Sequence, residues 1–172
     1  APASVALVGV SLQADTAGND MLLELRQSGY KGTVYLVNPK YTEIAGFRCY
    51  ASVSELPEAP DLTVLAVANS RLEGLVRDAI ARGTRALVLF GSAHLDEDEG
   101  ASSKLVDRIR DLATKAGIPV CGANCMGFYN QDIGLRVFPQ YLPRTLAAGH
   151  VAYISQSGSA LTQPGAASPA GD

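Results

Sequence analysis

Cysteine, charge and long apolar runs are all scarce in this sequence, and it contains no tryptophan. The three cysteines, Cys49, Cys121 and Cys125, form neither even pairs nor a CxxC motif, so we expect reduced thiols in a cytoplasmic protein rather than a disulfide framework. No apolar run reaches the roughly 18 residues that a membrane-spanning helix needs. The N-terminal residues also lack the basic start and apolar stretch of a secretory signal.

The charged residues make up only 18% of the chain and nearly balance in sign. There are 14 Lys and Arg residues against 17 Asp and Glu residues, for a net charge of −3, and no long basic run occurs. Nucleic acid and anionic membranes are therefore not expected as main partners. The acidic segment 93–100 is interpreted as a solvent-exposed loop. Hydrophobic residues supply 47% of the 172 positions, which predicts a soluble, mildly acidic domain with a buried core.

Nearly continuous apolar runs predict buried parallel strands. Such runs lie at residues 5–9, 33–37, 62–67 and 86–90, with shorter candidates at 118–121 and 151–154. They lack the alternation of apolar and polar residues that one solvent-facing side would produce, so both faces of the sheet should be covered.

Amphipathic segments between these strands predict three helices. The first covers about residues 19–28, and the other two carry apolar residues at helical spacing over 72–80 and 105–116. Ser70 and Glu73 have the spacing of a capping box at the start of the second helix. Each helix is followed by a glycine, as is common at helix C-termini. The alternation predicts an α/β fold, a Rossmann-like, doubly wound and mainly parallel sheet flanked by helices.

Ligands of such sheets bind beyond the carboxyl ends of the strands, which directs attention to the loops there. The loop from Gly9 to Gly18 is rich in small residues that leave backbone N–H groups free for a phosphate. Its glycines are nine residues apart and do not form the GxGxxG pattern. A plain strand-to-helix connection is the alternative.

Asn38, Pro39 and Lys40 follow the second predicted strand. An NAD-binding Rossmann domain carries Asp or Glu here, which holds the ribose hydroxyl. A lysine instead favours a phosphorylated ribose, because a carboxylate would repel the phosphate. This indicates NADP or coenzyme A rather than NAD, with a surface lysine in a turn as the alternative.

The loop 122–127 after the fifth strand places two glycines around Asn124 and Cys125. No histidine or basic residue lies near Cys125 in the sequence to activate it, so it is expected to line a site rather than act as a nucleophile. Cys121 and Cys125 lack further residues at metal-ligand spacing, so zinc is not expected. His94 follows the fourth strand and is a candidate ligand contact.

Seven segments, in this order, resemble the CoA-binding domain of nucleoside-diphosphate-forming acyl-CoA synthetases. This family includes the succinyl-CoA synthetase α subunit and ADP-forming acetyl-CoA synthetase. The segments are residues 5–11, 29–32, 37–40, 54–57, 61–64, 122–127 and 154–158. The resemblance implies a domain that binds CoA and presents its thiol in an acid–thiol ligase. This sequence departs from the family pattern at Ala123, where the family prefers proline.

The resemblance also implies where CoA would lie. Its phosphates would lie on the Gly9–Gly18 loop and Lys40, its adenine against the start of the second helix, and its thiol near Cys125. The implied cofactor-binding residues are Gly9, Ser11, Leu12, Gly18, Asn38, Pro39, Lys40, Ala68, Asn69, Phe90, Gly91, Ser92, Asn124, Cys125 and Gly127.

Residues 1–150 are expected to form this domain, 151–162 to begin a following domain, and 163–172 to be a flexible tail. The family passes a phosphoryl group through a histidine of a flavodoxin-like domain and needs an ATP-grasp partner. Neither His94 nor His150 matches that histidine, so the chain alone is expected to bind CoA or acyl-CoA without completing catalysis, and no catalytic or metal residue is assigned. A stand-alone CoA-binding sensor or regulatory protein and an NADP-binding Rossmann domain are the alternatives.

Overall fold

A seven-stranded sheet forms the centre of the computed structural model, which describes residues 1–13, 16–99, 103–139, 148–150 and 152–157. The strand order is β3-β4-β2-β1-β5-β6-β7. All neighbouring pairs are parallel except β3 and β4, which confirms the predicted mainly parallel sheet. The strands are β1 (Ser4–Val8), β2 (Thr33–Val37), β3 (Glu43–Ile44), β4 (Phe47–Tyr50), β5 (Leu62–Leu65), β6 (Leu87–Leu89) and β7 (Val120–Cys121).

Three helices cover the two faces of the sheet, as in a doubly wound fold. They are α1 (Ala17–Gln27), α2 (Asn69–Arg82) and α3 (Leu105–Ala116). One apolar core contains the buried residues of α1, and the other contains those of α2 and α3. Alternate residues of β1 divide between these cores: Val5 and Leu7 lie in the first, Ala6 and Val8 in the second. The continuous apolar runs in the sequence follow from this burial on both sides.

Glycine ends the helices as predicted. Gly83 and Gly117 are the C-cap residues of α2 and α3, with φ of 94° and 68°. This left-handed conformation is costly for residues with a Cβ atom, which explains the glycines. They allow the chain to leave each helix and enter the next strand directly.

A separate hairpin follows the last strand of the sheet. Its antiparallel strands are β8 (Phe128–Asn130) and β9 (Leu135–Val137). Sequence patterning gave no signal for it, because Asn130 and Arg136 interrupt the apolar pattern of its strands. Arg136 of β9 is buried and lies 3.4 Å from the carboxylate of Glu24, which is buried in α1. This ion pair joins the hairpin to the helix that begins after β1.

Several local predictions were wrong. Strand 62–67 ends at Leu65, α1 begins at Ala17 rather than Asn19, and residues 152–154 form no strand. Strands β3 and β4 were not predicted, because a charged residue, Glu43 or Arg48, interrupts the apolar pattern of each. Val151, Gly158 and the expected tail 163–172 lie outside the described residues.

The capping box was also wrong. Helix α2 begins at Asn69 with Ala68 as its N-cap, and no side chain caps it. Glu73 instead accepts hydrogen bonds from Arg77 at 2.6 Å and Arg108 at 2.8 Å, which joins α2 to α3. Among the described residues, no helix has the length and apolar character required to cross a membrane.

The buried ion pair yields a stability prediction. Glu24→Gln leaves the buried Arg136 guanidinium without its carboxylate, and breaking such a pair costs about 3–5 kcal/mol. We expect a loss of this size in the free energy of unfolding, measured by urea denaturation with circular dichroism. Arg110→Ala, which breaks the exposed pair with Asp107, is the control and should change it by less than about 1 kcal/mol. Equal losses in the two variants would contradict the assignment.

Candidate functional site

The strand order reverses at β1, and the predicted site residues lie around that point. The chain passes from β1 to β2 on one side and later returns to β5 on the other side of β1. The loops after β1 and β5 therefore diverge and leave a crevice at the carboxyl ends of the strands. All fifteen predicted residues lie in loops at this edge or in the first turn of a helix: Gly9, Ser11, Leu12 and Gly18 after β1; Asn38, Pro39 and Lys40 after β2; Ala68 and Asn69 after β5; Phe90, Gly91 and Ser92 after β6; Asn124, Cys125 and Gly127 after β7.

Gly9 is a point of very close backbone contact in the crevice. Its φ is +99°, and a Cβ atom there would collide with the Ala66 carbonyl oxygen of the loop after β5. Its N–H donates to the Val37 carbonyl of β2 at 3.1 Å. A Cβ atom on Gly18 would lie 3.1 Å from the Gly9 carbonyl oxygen. These two glycines therefore bring the start of α1 directly onto the end of β1.

The start of α1 is organised by Thr16, which the sequence reasoning missed. Thr16 is the N-cap, and its hydroxyl accepts from the Asn19 N–H at 3.4 Å. Asn19 in turn donates from its side chain to the Gln13 carbonyl at 2.9 Å. The first amides of a helix have no intrahelical partner, and together with the helix dipole they favour an anion. A threonine just before an amphipathic run was the signal that could have identified this cap.

Asn38 fastens the loop after β2 to the loop after β1. Its side-chain NH₂ group donates to the Val10 carbonyl at 2.7 Å, and its side-chain oxygen accepts from the Lys40 N–H at 3.0 Å. Its amide is thus used within the protein. The Lys40 side chain is exposed and, within the described part of the chain, makes no ion pair. Lys40 is the residue of this loop whose charge is available to a ligand.

Asn69 plays the same part on the other side of the crevice. Its side-chain NH₂ group donates to the Ser92 hydroxyl and to the His94 carbonyl, both at 2.8 Å, and its side-chain oxygen accepts from the Ala93 N–H at 3.2 Å. A Cβ atom on Gly91 would lie 2.6 Å from that oxygen. The loop after β6 is thereby held against the start of α2. Ala93 and Val10 take part through backbone atoms alone, so sequence reasoning had no signal for them.

An open depression of about 600 Å³ lies beside these contacts. His94 is exposed at its edge, with Nε2 3.7 Å from the Asp96 carboxylate. The depression is lined by Asn69, Ser70, His94, Leu95, Asp96 and Glu97.

The acidic segment behind this depression is only partly solvent-exposed, which corrects the sequence interpretation. Asp98 is buried and accepts hydrogen bonds from the Leu105 N–H at 2.7 Å and from the Arg108 guanidinium at 3.2 Å. The hydrogen bond from Leu105, together with Arg108, holds the pKa of Asp98 below its ordinary value of 3.8. Arg108 also donates to Glu73 of α2. Asp98 therefore ties the loop after β6 to α3 and, through Arg108, to α2.

The loop 122–127 folds back against the ends of β6 and β9. Asn124, at φ 53°, donates from its N–H to the Gly91 carbonyl at 2.8 Å. The Cys125 thiol lies 3.2 Å from the Leu89 carbonyl. A Cβ atom on Gly127 would collide with the Val137 carbonyl of β9. These contacts place Cys125 beside the end of β6 and bring the loop against the hairpin.

The described residues of the site offer groups that are suited to binding. It combines free backbone amides at the start of α1, the Lys40 ammonium, and a row of small residues extending to Cys125. Within the described ranges, no group of three or more His, Cys, Asp or Glu residues could hold a metal ion. The arrangement suits a long ligand with phosphate groups at one end.

Comparisons with known proteins point to one family. The family described as CoA binding domain matches residues 3–131. The chain is 35% identical over 159 residues to an ADP-forming acetate–CoA ligase of Archaeoglobus fulgidus, covering 92% of this chain and 22% of that protein. The fold matches an acetyl-coenzyme A synthetase of Candidatus Korarchaeum cryptofilum, solved with phosphate and ADP, at TM-score 0.82 and 30% identity over 92% of this chain and 33% of that one.

A shorter solved protein has the same fold. A conserved hypothetical protein from Pyrococcus furiosus matches at TM-score 0.57 and 32% identity, with 71% of this chain and 94% of that one covered. The chain therefore spans about a fifth of the length of the Archaeoglobus fulgidus ligase, whereas it covers nearly all of the Pyrococcus furiosus protein.

Gly9→Ala tests the backbone contact in the crevice. The left-handed conformation costs about 1–2 kcal/mol for alanine, and the collision with Ala66 adds about 1–3 kcal/mol. We expect a loss of about 2–5 kcal/mol in urea denaturation. Gly46→Ala is the matched control, because Gly46 also has a positive φ but has nothing within 4 Å of the added Cβ. If both variants lost the same amount, the contact with Ala66 would carry no weight.

Asp98 yields a prediction about pH. Because its pKa in the folded protein is lowered, its contribution to stability is present above pH 3.8 and is lost as the pH falls through the folded-state pKa. Asp98→Asn is expected to lower the free energy of unfolding at pH 7 and to flatten its decline as the pH falls below 3.8. Denaturation at several pH values measures this. The exposed Asp96→Asn is the control and should change stability at pH 7 by less than about 0.5 kcal/mol.

Proposed function

Because the chain belongs to the family of CoA binding domains, with coenzyme A as its ligand, we propose that it is the CoA-holding part of a nucleoside-diphosphate-forming acyl-CoA synthetase. The observation that supports this most directly is the match over 92% of the chain to an ADP-forming acetate–CoA ligase. The family match over residues 3–131 covers every loop of the crevice. The match to the ligase covers only 22% of that relative, and we assign the remaining chemistry to domains in the rest of its chain.

The proposed site uses the shape of CoA, which is a nucleotide with several phosphates at one end and a thiol at the other. The phosphates lie on the amides at the start of α1 and against Lys40. The adenine lies beside Ala68 and Asn69, and Phe90, Gly91 and Ser92 line the path of the arm. The thiol reaches Asn124, Cys125 and Gly127.

The dimensions of the sheet agree with an elongated ligand. Lys40 follows β2 and Cys125 follows β7, and these strands are separated by four interstrand spacings in the order β2-β1-β5-β6-β7. At about 4.8 Å for each spacing, the two residues are separated by about 19 Å along the sheet edge. A ligand that contacts both must be extended and must carry different groups at its two ends.

The protein groups in this proposal bind and orient CoA. Backbone amides and the Lys40 ammonium neutralise phosphate charge, while the thiol is presented to an activated acyl group. Activation of the acid and phosphoryl transfer are assigned to a flavodoxin-like domain with a phosphohistidine and to an ATP-grasp domain or subunit. A cytoplasmic location is part of the proposal, because all three cysteines are free thiols.

One observation favours a second candidate, a stand-alone CoA-binding sensor or regulatory protein. The chain covers 94% of the short Pyrococcus furiosus protein, so this fold also occurs in a chain that contains little beyond it. The reading frame of the intact gene distinguishes the two candidates. A frame that continues into a histidine-bearing second domain supports the synthetase, and a stop codon after Asp172 supports the sensor.

Isothermal calorimetry with CoA tests the proposed site. We expect Lys40→Glu to weaken CoA binding by about 1–3 kcal/mol, or about 5- to 150-fold in Kd, because a charge-assisted contact is replaced by repulsion. If Lys40 holds the phosphate on the ribose, the loss should be smaller with dephospho-CoA, which lacks that phosphate.

Lys31→Glu provides the matched control. Lys31 is an exposed lysine just before β2, at the amino-terminal ends of the strands and thus away from the crevice. Lys31→Glu makes the same change of charge as Lys40→Glu. It should leave the affinity for CoA within about twofold. No heat with CoA or dephospho-CoA would contradict the proposal, and tight binding of NADPH without CoA binding would instead support an NADP-binding domain.

A further inference from the structure

Two thiols meet at the last strand of the sheet. Cys121 ends β7, and the chain then turns so that the Cys125 thiol lies 3.6 Å from the Cys121 carbonyl oxygen. Both cysteines are partly buried, and the interaction between their thiols shifts the two pKa values in opposite directions. The intervening loop is fixed by the hydrogen bond from the Asn124 N–H to the Gly91 carbonyl. The two sulfur atoms are therefore neighbours in the folded chain.

We propose that Cys121 and Cys125 form a reversible redox site, in which a peroxide converts the two thiols into an intramolecular disulfide. This inference does not depend on CoA binding. It assigns a modification site to a residue, Cys121, for which sequence reasoning found no role.

The surroundings restrict the partners of each thiol. Gly122 provides the space between them, since a Cβ atom there would lie 3.3 Å from the Cys125 sulfur. The third cysteine, Cys49, is buried in β4 and bonds to the Asn38 carbonyl. In the sheet, β2, β1, β5 and β6 lie between β4 and β7. Cys49 is therefore too distant to form a disulfide with Cys121 or Cys125.

The two thiols differ in reactivity. The hydrogen bond from the Cys125 thiol lowers the pKa of Cys121 to about 7, so a large fraction of Cys121 is thiolate at neutral pH. The same interaction, together with burial, raises the pKa of Cys125, which stays protonated. Cys121 is thus the attacking group and Cys125 the resolving group. The sequence contains no basic residue beside Cys125, and the activating partner of Cys121 is the other cysteine.

The chemistry balances with hydrogen peroxide as the two-electron oxidant. The Cys121 thiolate attacks one peroxide oxygen, the O–O bond breaks, and hydroxide leaves and is protonated to water. The resulting sulfenic acid is attacked by the Cys125 sulfur, an S–S bond forms, and a second water leaves with the Cys125 proton. Two thiols and one peroxide give one disulfide and two waters, and a dithiol reductant reverses the reaction.

Mass spectrometry of tryptic peptides tests the proposal. Trypsin releases residues 116–136, which contain both cysteines, as one peptide. After treatment with equimolar hydrogen peroxide, we expect this peptide to lose two hydrogens in the wild-type protein and in the matched control Cys49→Ser, and to regain them with dithiothreitol. Cys125→Ala should instead give a Cys121 sulfenic acid that dimedone traps. Cys121→Ala should react at Cys125 at least tenfold more slowly.

A second measurement separates reactivity from folding. The rate of Cys121 alkylation by iodoacetamide should be half-maximal near pH 7, and Cys125→Ala should shift this midpoint upward because the hydrogen-bond donor is lost. Fragment spectra distinguish cysteine oxidation from a sulfoxide on Met126, which lies in the same peptide. A disulfide involving Cys49, a link between two chains, or a stable oxygen adduct on Cys121 in the wild-type protein would overturn the proposal.

Discussion

The contact between the backbones at Gly9 and Ala66 is the constraint on which the crevice depends. Parallel strands with connections on opposite faces send their loops in opposite directions, and the gap between them is the binding edge. In this chain that gap begins where β1 and β5 lie so close that only glycine fits. The start of α1 then reaches the same point because Gly18 also lacks a side chain. The absence of side chains, rather than any polar group, creates the surface that backbone amides can offer to phosphate.

Two asparagines complete the crevice by holding its walls together. Asn38 joins the loops after β2 and β1, and Asn69 joins the loops after β5 and β6. Each uses its side-chain amide both as donor and as acceptor, so neither has its full hydrogen-bonding capacity left for a ligand. Their role is to position Lys40 on one side and the Gly91–Ser92 backbone on the other. Loops that are held in place in this way have less conformational entropy to lose when a ligand binds.

Much of this architecture could be predicted from sequence, because it depends on periodicity and on glycine. The five central parallel strands and three helices follow from burial on both faces and from helical spacing. The strands β3, β4, β8 and β9 each contain a polar or charged residue and therefore lack a continuous apolar run. The capping box failed because Ser70 and Glu73 have the right spacing but α2 starts one residue before Ser70, while Glu73 pairs with Arg77 and Arg108 across the fold. Such long-range ion pairs leave no local signal.

The site was predictable to the level of its loops but not of its contacts. The position of Lys40 follows from topology alone, whereas the roles of Val10 and Ala93 reside in backbone atoms that any residue carries. The proximity of Cys121 and Cys125 could be predicted only in part. Their spacing of four residues can be seen in the sequence, but the turn that brings Cys125 back toward Cys121 cannot.

The hairpin relates the two ends of the crevice to each other. Gly127 packs its backbone directly on Val137, and the neighbouring Arg136 is paired with Glu24 in the middle of α1. The helix whose start lies at one side of the crevice and the loop that carries Cys125 at the other side are thus both attached to the β8–β9 hairpin. The distance between the ends is set by the protein rather than by the bound molecule. A crevice with a fixed separation between its two sides selects ligands by their length, because only a ligand long enough to reach both sides can contact both.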